Sequence, residues 1–413
     1  MQRDETPSAA GRNAPDLGRL PEYIQSVVAE RYGPAIGGMG ALVSRHAAAI
    51  HNLSMRFTSD REDLPAGYLA APPARAAYLL YFATTGAATV QHALSLAGVT
   101  LRDHVGPLRV LDIGAGPLTG SLGVATLLGP SVQLEVTALD GVRQALEDGA
   151  EVLRRMRPDA KIHLHDGNIR EGRFLQRALR GRYDLILMAN ILNEWSQGGK
   201  KKVTAGESVA QFLNDHLAEN GVVLFVEPAT RHGSHTLIEV REHLAPMQRW
   251  NIVAPCAGAA QCPLAGSRKD WCFTDQPWIR PRHIEAIDRA IRHERATLKF
   301  SYLALRAGPP PPPVRQRYRV VGGPMRDGAT YRRYLCGKEG RVVVTLNVEE
   351  FAIPPDLLHA FRGDEIAVAG QVQKVQRGRA TEQVLVPEGL FKDSRPKVPF
   401  RPPSPQKPRN GSR

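Results

Sequence analysis

Four cysteines are the residues of this chain best able to do chemistry. Cys256, Cys262 and Cys272 fall in a C-x5-C-x9-C pattern, and Cys336 is the only other cysteine among 413 residues. Pro255, Pro263 and Trp271 flank the first three. Thiolates are soft ligands, and four of them hold either a tetrahedral zinc ion or an iron–sulfur cluster. Zinc ribbons use cysteine pairs separated by about two to four residues, and neither such pair occurs here. The radical-cluster spacing C-x3-C-x2-C is also absent. The wider spacing suits a larger object whose ligands stand several ångströms apart, so a [4Fe–4S] cluster is favoured over zinc. Unliganded thiols or a disulfide stay open on the residues alone. Cys336 lies beyond five consecutive prolines at 309–313. A site shared by all four would tie that distal segment to the rest and close a long loop.

The second constellation is Val110-Leu111-Asp112-Ile113-Gly114-Ala115-Gly116-Pro117, an apolar run ending in a glycine turn. Glycines there let a backbone approach a ligand at the carboxyl edge of a sheet. The dinucleotide fingerprint would need glycine where Thr119 stands, and no Gly-Lys-Ser/Thr follows to make a Walker loop. What remains resembles the pattern of class I S-adenosylmethionine-dependent methyltransferases. The resemblance implies that Asp112, Gly114 and Gly116 face the amino-acid part of that cofactor. Asp140 would accept hydrogen bonds from the ribose, Asp166 would lie where adenine is held, and Asn190 would border the methyl group. No catalytic residue is assigned. The segment Ala189-Asn190-Ile191-Leu192-Asn193-Glu194-Trp195 lacks the prolines of amine-methylating loops, and Glu194 reads as a cap or surface group. No cysteine stands near the fourth or fifth strand to attack a pyrimidine carbon.

These residues need elements to position them. The runs 109–113, 134–139, 161–164, 183–188 and 222–226 are short, apolar and separated by helical patterns, the mark of βαβ units around a parallel sheet. The expected fold class is α/β, a Rossmann-like methyltransferase core with additions. The expected segments are a disordered start at 1–15, a helical region at 16–105 and the Rossmann-like domain at 106–250. A cysteine-rich segment follows at 251–308, with a charged helix over 282–305. The prolines at 309–313 form a stiff linker. A small β domain of OB type occupies 314–391, from strands at 318–321, 341–348, 365–375 and 382–386. The tail 392–413 is basic, rich in proline and expected to be disordered.

The net charge is +13, and its placement matters more than its size. Residues 1–250 carry 26 Lys/Arg and 26 Asp/Glu, so the surplus lies wholly in the C-terminal part. That asymmetry points to a polyanion, nucleic acid first. Arg outnumbers Lys by 43 to 11, and the arginine fork suits phosphate. Arg280, Arg282, Arg289, Arg292, Arg295, Arg315, Arg317, Arg319, Arg332 and Arg333 are the candidate phosphate contacts, some of them paired with Glu285, Asp288 and Glu294. No run of about 18 apolar residues exists to span a membrane, and the N-terminus has no secretory h-region.

The glycine loop, the segment 189–194, Val226-Glu227-Pro228 with Thr230, and the cysteine set from Ala254 to Cys272 together resemble the Rsm22 family. This family comprises mitochondrial small-ribosomal-subunit proteins, methyltransferase-like 17 relatives and bacterial homologues. The resemblance covers roughly residues 20–375. It implies a methyltransferase fold and binding to small-subunit ribosomal RNA during assembly. It also implies a [4Fe–4S] cluster on Cys256, Cys262, Cys272 and Cys336. Without an evident leader, a cytoplasmic bacterial version is expected, monomeric away from the ribosome. An active ribosomal RNA methyltransferase is the alternative; a small-molecule methyltransferase fits the basic C-terminal half less well.

Overall fold

A computed structural model describes residues 15–33, 37–59, 67–192, 195, 204–247, 249–256, 258–267, 269–308, 317–377 and 380–387. Asn193, Glu194, the prolines at 309–313, Arg315 and the two chain ends lie outside the described residues.

The five apolar runs form parallel strands: β1 (Leu108–Ile113), β2 (Leu134–Asp140), β3 (Lys161–Asp166), β4 (Tyr183–Ala189) and β5 (Leu217–Pro228). Three more strands complete the sheet: β6 (Trp250–Ala254), β7 (Thr274–Pro277) and β8 (Thr297–Ala307). The order is β3-β2-β1-β4-β5-β8-β6, with β8 antiparallel to β5 and β6, and β7 also paired to β8. A parallel sheet with its order reversing between β1 and β4 and one antiparallel strand inserted beside β5 is the class I methyltransferase arrangement. β1, β2, β4 and β5 are largely apolar along their length because both faces are covered, while the edge strand β3 alternates. Leu185, Leu187, Val222 and Leu224 face one layer, while Ile186, Met188, Val223 and Phe225 face the other.

The first layer comes from α1 (Leu20–Tyr32), α2 (Gly38–Ser59), α3 (Pro72–Ala77) and α4 (Thr84–Leu96). A π-helical turn, Tyr78–Ala83, joins α3 to α4. Between strands run α5 (Thr119–Ala125), α6 (Arg143–Met156), α7 (Gly172–Ala178), α8 (Ala205–His216) and α9 (Arg231–Leu244). Thr204 and Glu207 form a reciprocal cap that starts α8. On α6, Asp148 collects Arg31 at 2.7 Å, Arg75 at 3.2 Å and the Tyr32 hydroxyl, so one buried carboxylate ties the helical layer to the core.

The charged helix expected over 282–305 is shorter. α10 spans Arg282–Ile291 and stops at Arg292, whose φ of 55° is left-handed. Asp288 fixes the exit: it accepts from Tyr81 at 2.5 Å, Arg280 at 3.0 Å and the Arg295 backbone N–H at 3.1 Å. Beyond it, residues 297–300 pair with β7 and residues 300–306 with β5, together forming β8. The open slot beside β5 outweighs the helical propensity of the charged stretch.

The C-terminal unit contains β9 (Arg317–Val320), β10 (Met325–Asp327), β11 (Thr330–Gly337) and β12 (Gly340–Asn347). They are followed by α11 (Pro355–His359), β13 (Glu365–Ala367), β14 (Gly370–Arg377) and β15 (Ala380–Pro387). Its strand order is β13-β9-β11-β12-β15-β14, with β10 against β11 and a single parallel pair, β12 with β15. The run 365–375 is therefore two strands, broken before Gly370. Tyr318, Val320, Leu335, Val342, Val344 and Leu385 form its own core. Buried Arg333 donates to the carbonyls of Leu357 and Ala360, satisfying the C-terminal end of α11.

Candidate functional site

The glycine turn follows β1 as the sequence leads one to expect. Gly114 and Gly116 have φ of 65° and 53°, a region that side-chained residues rarely enter. The Gly116 N–H donates to the Asp140 carboxylate at 2.8 Å, and the Val142 N–H donates to its other oxygen at 2.9 Å. A carboxylate has about four acceptor sites, so Asp140 keeps capacity for a further donor. Asp140 and Asp166 are register partners across β2 and β3. Asn190 follows β4 with a φ of 59°, its N–H bonded to the Val226 carbonyl at 2.7 Å. All six predicted residues thus stand at the carboxyl ends of neighbouring parallel strands, where α/β sheets bind ligands.

They differ in environment. Asp112 is buried and accepts from the Ser121 N–H at 2.8 Å and its hydroxyl at 2.7 Å. Burial pushes its carboxyl up to about 6, against those two hydrogen bonds. It therefore braces the start of α5 from below. Burial also raises Asp140, opposed by the amides of Val142, Gly116 and Gly141. Asp166 is exposed and pairs with Arg143 at 3.3 Å. A Cβ on Gly116 would meet only Leu69 at 3.8 Å and one on Gly141 would meet nothing, whereas one on Gly114 would meet Ile191 at 2.6 Å, so the loop is open at Gly116 and packed against Ile191 at Gly114. Leu69 packs with Val142 and Ala145, which brings the segment before α3 to the rim of this site.

The four cysteines come from both units. Cys256 follows β6, Cys262 lies in the loop after it, Cys272 precedes β7, and Cys336 is on β11. All four line one cavity of 270 Å³ between the mixed sheet and the C-terminal unit. No disulfide joins them. Burial raises the thiols of Cys256, Cys336 and Cys262, the last to about 11. Among the described residues, no three His, Cys, Asp or Glu side chains converge on the position of a single metal ion. The Cys272 backbone is held hard: its carbonyl accepts from Ser234 at 2.7 Å and Ser301 at 2.8 Å, and its N–H donates to Ser234 at 3.0 Å.

Arg319 and Arg362 line the same cavity with Arg341, Arg241 stands beside Cys256, and sequence reasoning missed them in this role. Arg241 on α9 is 3% exposed and donates to the Ala259 carbonyl and to Glu242. Arg319 on β9 is 4% exposed and donates to the Tyr302 hydroxyl at 3.1 Å and to Thr274. Arg362 donates to the carbonyls of Phe273 at 3.1 Å and Trp271 at 3.0 Å. The phosphate-contact reading of two arginines is thereby corrected: Arg319 and Arg333 are buried inside the protein. Arg280, Arg317 and Arg332 are engaged with Asp288, Glu365 and Glu382. Arg282, Arg289 and Arg292 are exposed along α10 and its end.

The sequence pattern of the family described as Mitochondrial small ribosomal subunit Rsm22 matches residues 73–348. This chain belongs to the Rsm22 family. The match runs from the third helix through β12 and takes in the glycine loop and all four cysteines. Among curated proteins, none matches. Solved structures similar to this Rsm22-family chain include the O-methyltransferase from Bacillus cereus in complex with SAH. It is 10% identical, over 70% of this chain and 99% of that one, with a TM-score of 0.33. The O-methyltransferase TomG from Streptomyces achromogenes, in complex with SAM, is 14% identical over 65% and 90%, with a TM-score of 0.32. TrmN from Thermus thermophilus is 15% identical over 55% and 52%, with a TM-score of 0.29. At scores this low the fold assignment rests on the strand order itself. No described helix is long and apolar enough to cross a membrane.

Proposed function

We propose that this Rsm22-family protein binds small-subunit ribosomal RNA during assembly, in the cytoplasm, as a methyltransferase-like factor whose two units are joined by a four-cysteine metal centre. The observation that carries the proposal is the shared cavity: four thiols from two units, remote in sequence, around one space. Cys256, Cys262, Cys272 and Cys336 would be the ligands. The wide cysteine spacing and the size of the cavity that all four thiols line favour a [4Fe–4S] cluster over zinc. Such a centre would supply rigidity and, if redox-active, a potential; no step of chemistry is assigned to it.

The C-terminal unit supports the RNA reading. Its strand order, its one parallel pair and the helix between β12 and β13 fit an OB-type barrel, a fold that binds oligonucleotides. Exposed Arg282, Arg289 and Arg292 offer a phosphate-tracking edge on the methyltransferase-like unit. S-adenosylmethionine would bind over Gly114 and Gly116, with Asp140 accepting from the ribose, Asp166 beside the adenine and Asn190 near the methyl group.

The second reading, an active ribosomal RNA methyltransferase, is favoured by the open space at Gly116 and Gly141 and by the acceptor capacity left on Asp140. One experiment separates the two. Immature small subunits are incubated with protein and radiolabelled S-adenosylmethionine, and binding and methyl incorporation are read together. Binding without incorporation supports the assembly-factor reading, and incorporation abolished by Asp140→Ala with RNA binding retained supports the enzyme. No binding to small-subunit RNA overturns both.

A further inference from the structure

We infer that Arg319, assisted by Arg362, is a positioning residue that supplies the counter-charge for an anionic thiolate centre in the cavity. On this inference, charge pairing as well as ligation seats the C-terminal unit on the mixed sheet. The inference rests on the proposed metal centre and adds to it residues that are not ligands.

Arg319 is the cross-strand register partner of Cys336 on β11, so both side chains rise from the same face of the small sheet. Its two terminal nitrogens reach across to Tyr302 on β8 and Thr274 on β7, and its guanidinium lies 5.1 Å from the Tyr302 ring centroid. Its Nε is buried with no hydrogen-bond partner. Among the described residues, no carboxylate forms an ion pair with it. Arg362 is in the same position: it bonds only to carbonyls on either side of Cys272 and stacks 3.6 Å from the Phe273 ring centroid. Arg241 has one carboxylate, Glu242, and Glu242 also accepts from the Cys262 N–H at 2.9 Å. Arg341 and Asp270, at the rim, satisfy each other at 2.9 Å.

Among the described residues, the cavity and its immediate surround therefore carry four guanidinium charges, on Arg241, Arg319, Arg341 and Arg362, against two carboxylates, Glu242 and Asp270, a surplus of two. A buried guanidinium without an opposite charge is heavily penalised, and proteins avoid it. Neutral thiols do not offset it. Four thiolates around zinc, or around an oxidised four-iron cluster, carry a formal charge of about −2, which matches the surplus. Positive charge and hydrogen-bond donors around a cluster also make it easier to reduce. Arg319 thus links three things: a unit boundary, a ligand's neighbour and the centre's charge.

The test uses the full chain, purified anaerobically, as wild type, Arg319→Met, Arg319→Lys and Arg362→Met. Metal and sulfide per chain, the rate of metal loss to EDTA and the midpoint potential by dithionite titration of the visible spectrum are measured. Arg319→Met is expected to lose metal at least tenfold faster and, for an iron centre, to shift the potential negative. Arg319→Lys is expected to restore most of both, which a purely steric role would not produce. Arg362→Met, at a partly buried position, gives the same directions should Arg319→Met fail to fold. A loaded wild type with Arg319→Met and Arg362→Met indistinguishable from it in both readouts overturns the inference alone. A wild type that holds no metal overturns the centre and the inference with it.

Discussion

Cys336 faces Arg319 in register across β11 and β9, which sets the last thiol of the chain beside a buried cation and opposite three thiols of another unit. The pairing explains why a segment beyond a proline run is built into the same cavity as the loop between β6 and β7. It also makes the joint between units, rather than either unit's core, the place where occupancy is felt.

Cys336→Ser should destabilise the loaded protein and leave the metal-free protein nearly unchanged. An occupant bound only by the folded state stabilises by mass action, about 4 kcal/mol at a thousandfold excess over its dissociation constant. Thermal unfolding of both variants, before and after chelation, reads this directly. An equal loss of stability in the chelated forms would place the effect in packing instead.

Arg282→Ala/Arg289→Ala/Arg292→Ala should flatten the salt dependence of RNA binding. If all three touch phosphates, the slope of log affinity against log salt falls by about 2 to 3. The measurement is a filter-binding series across ionic strength. An unchanged slope would remove α10 from the interface. The corresponding Arg333→Ala change should instead unfold α11, because that side chain caps the helix from inside.

Asp140→Ala should weaken S-adenosylhomocysteine binding by at least tenfold, read by calorimetry. The carboxylate both offers acceptors to a ribose and holds the Gly116 and Val142 amides. Asp140→Asn separates these roles, since its single carbonyl oxygen still serves one amide. Affinity equal to wild type in both variants would take Asp140 out of the site.

Acid should destabilise the protein partly through His283. This ring is buried, and its Nε2 lies 3.0 Å from the Leu80 carbonyl and 3.3 Å from Thr84. Burial holds its pKa down to about 4, below the 6.5 of the unfolded chain. The unfolded state then binds the extra proton first, so stability falls as pH drops from about 6.5 to 4, by at most about 3 kcal/mol. Asp112 works in the opposite sense, because its raised carboxyl gains a proton on folding between about 6 and 4. His283→Gln should therefore shallow the acid limb of a stability–pH curve, and a curve of unchanged slope would contradict the assignment.

The methyltransferase sheet was legible because β1, β2, β4 and β5 are largely apolar on both faces, β3 alternates as an edge strand, and the strands end in turns such as Gly114 and Gly116. β8 was not, because Lys299 and Arg306 sit among its apolar residues and the charged helix just before it masks its start. That the cysteines come together at one cavity was legible from their clustering, but the arginines beside them were not. Arg319 lies in Arg317-Tyr318-Arg319-Val320, where only docking against Tyr302 and Thr274 buries the guanidinium. Burial produced by two units meeting leaves no periodic trace in either one.

The most direct test of the account is the iron, acid-labile sulfide and zinc content of anaerobically purified protein, with its visible spectrum. The account predicts about four iron and four sulfide per chain, lost together in Cys272→Ser. Stoichiometric zinc without sulfide would contradict the cluster, and a chain free of both metals would contradict the shared centre itself.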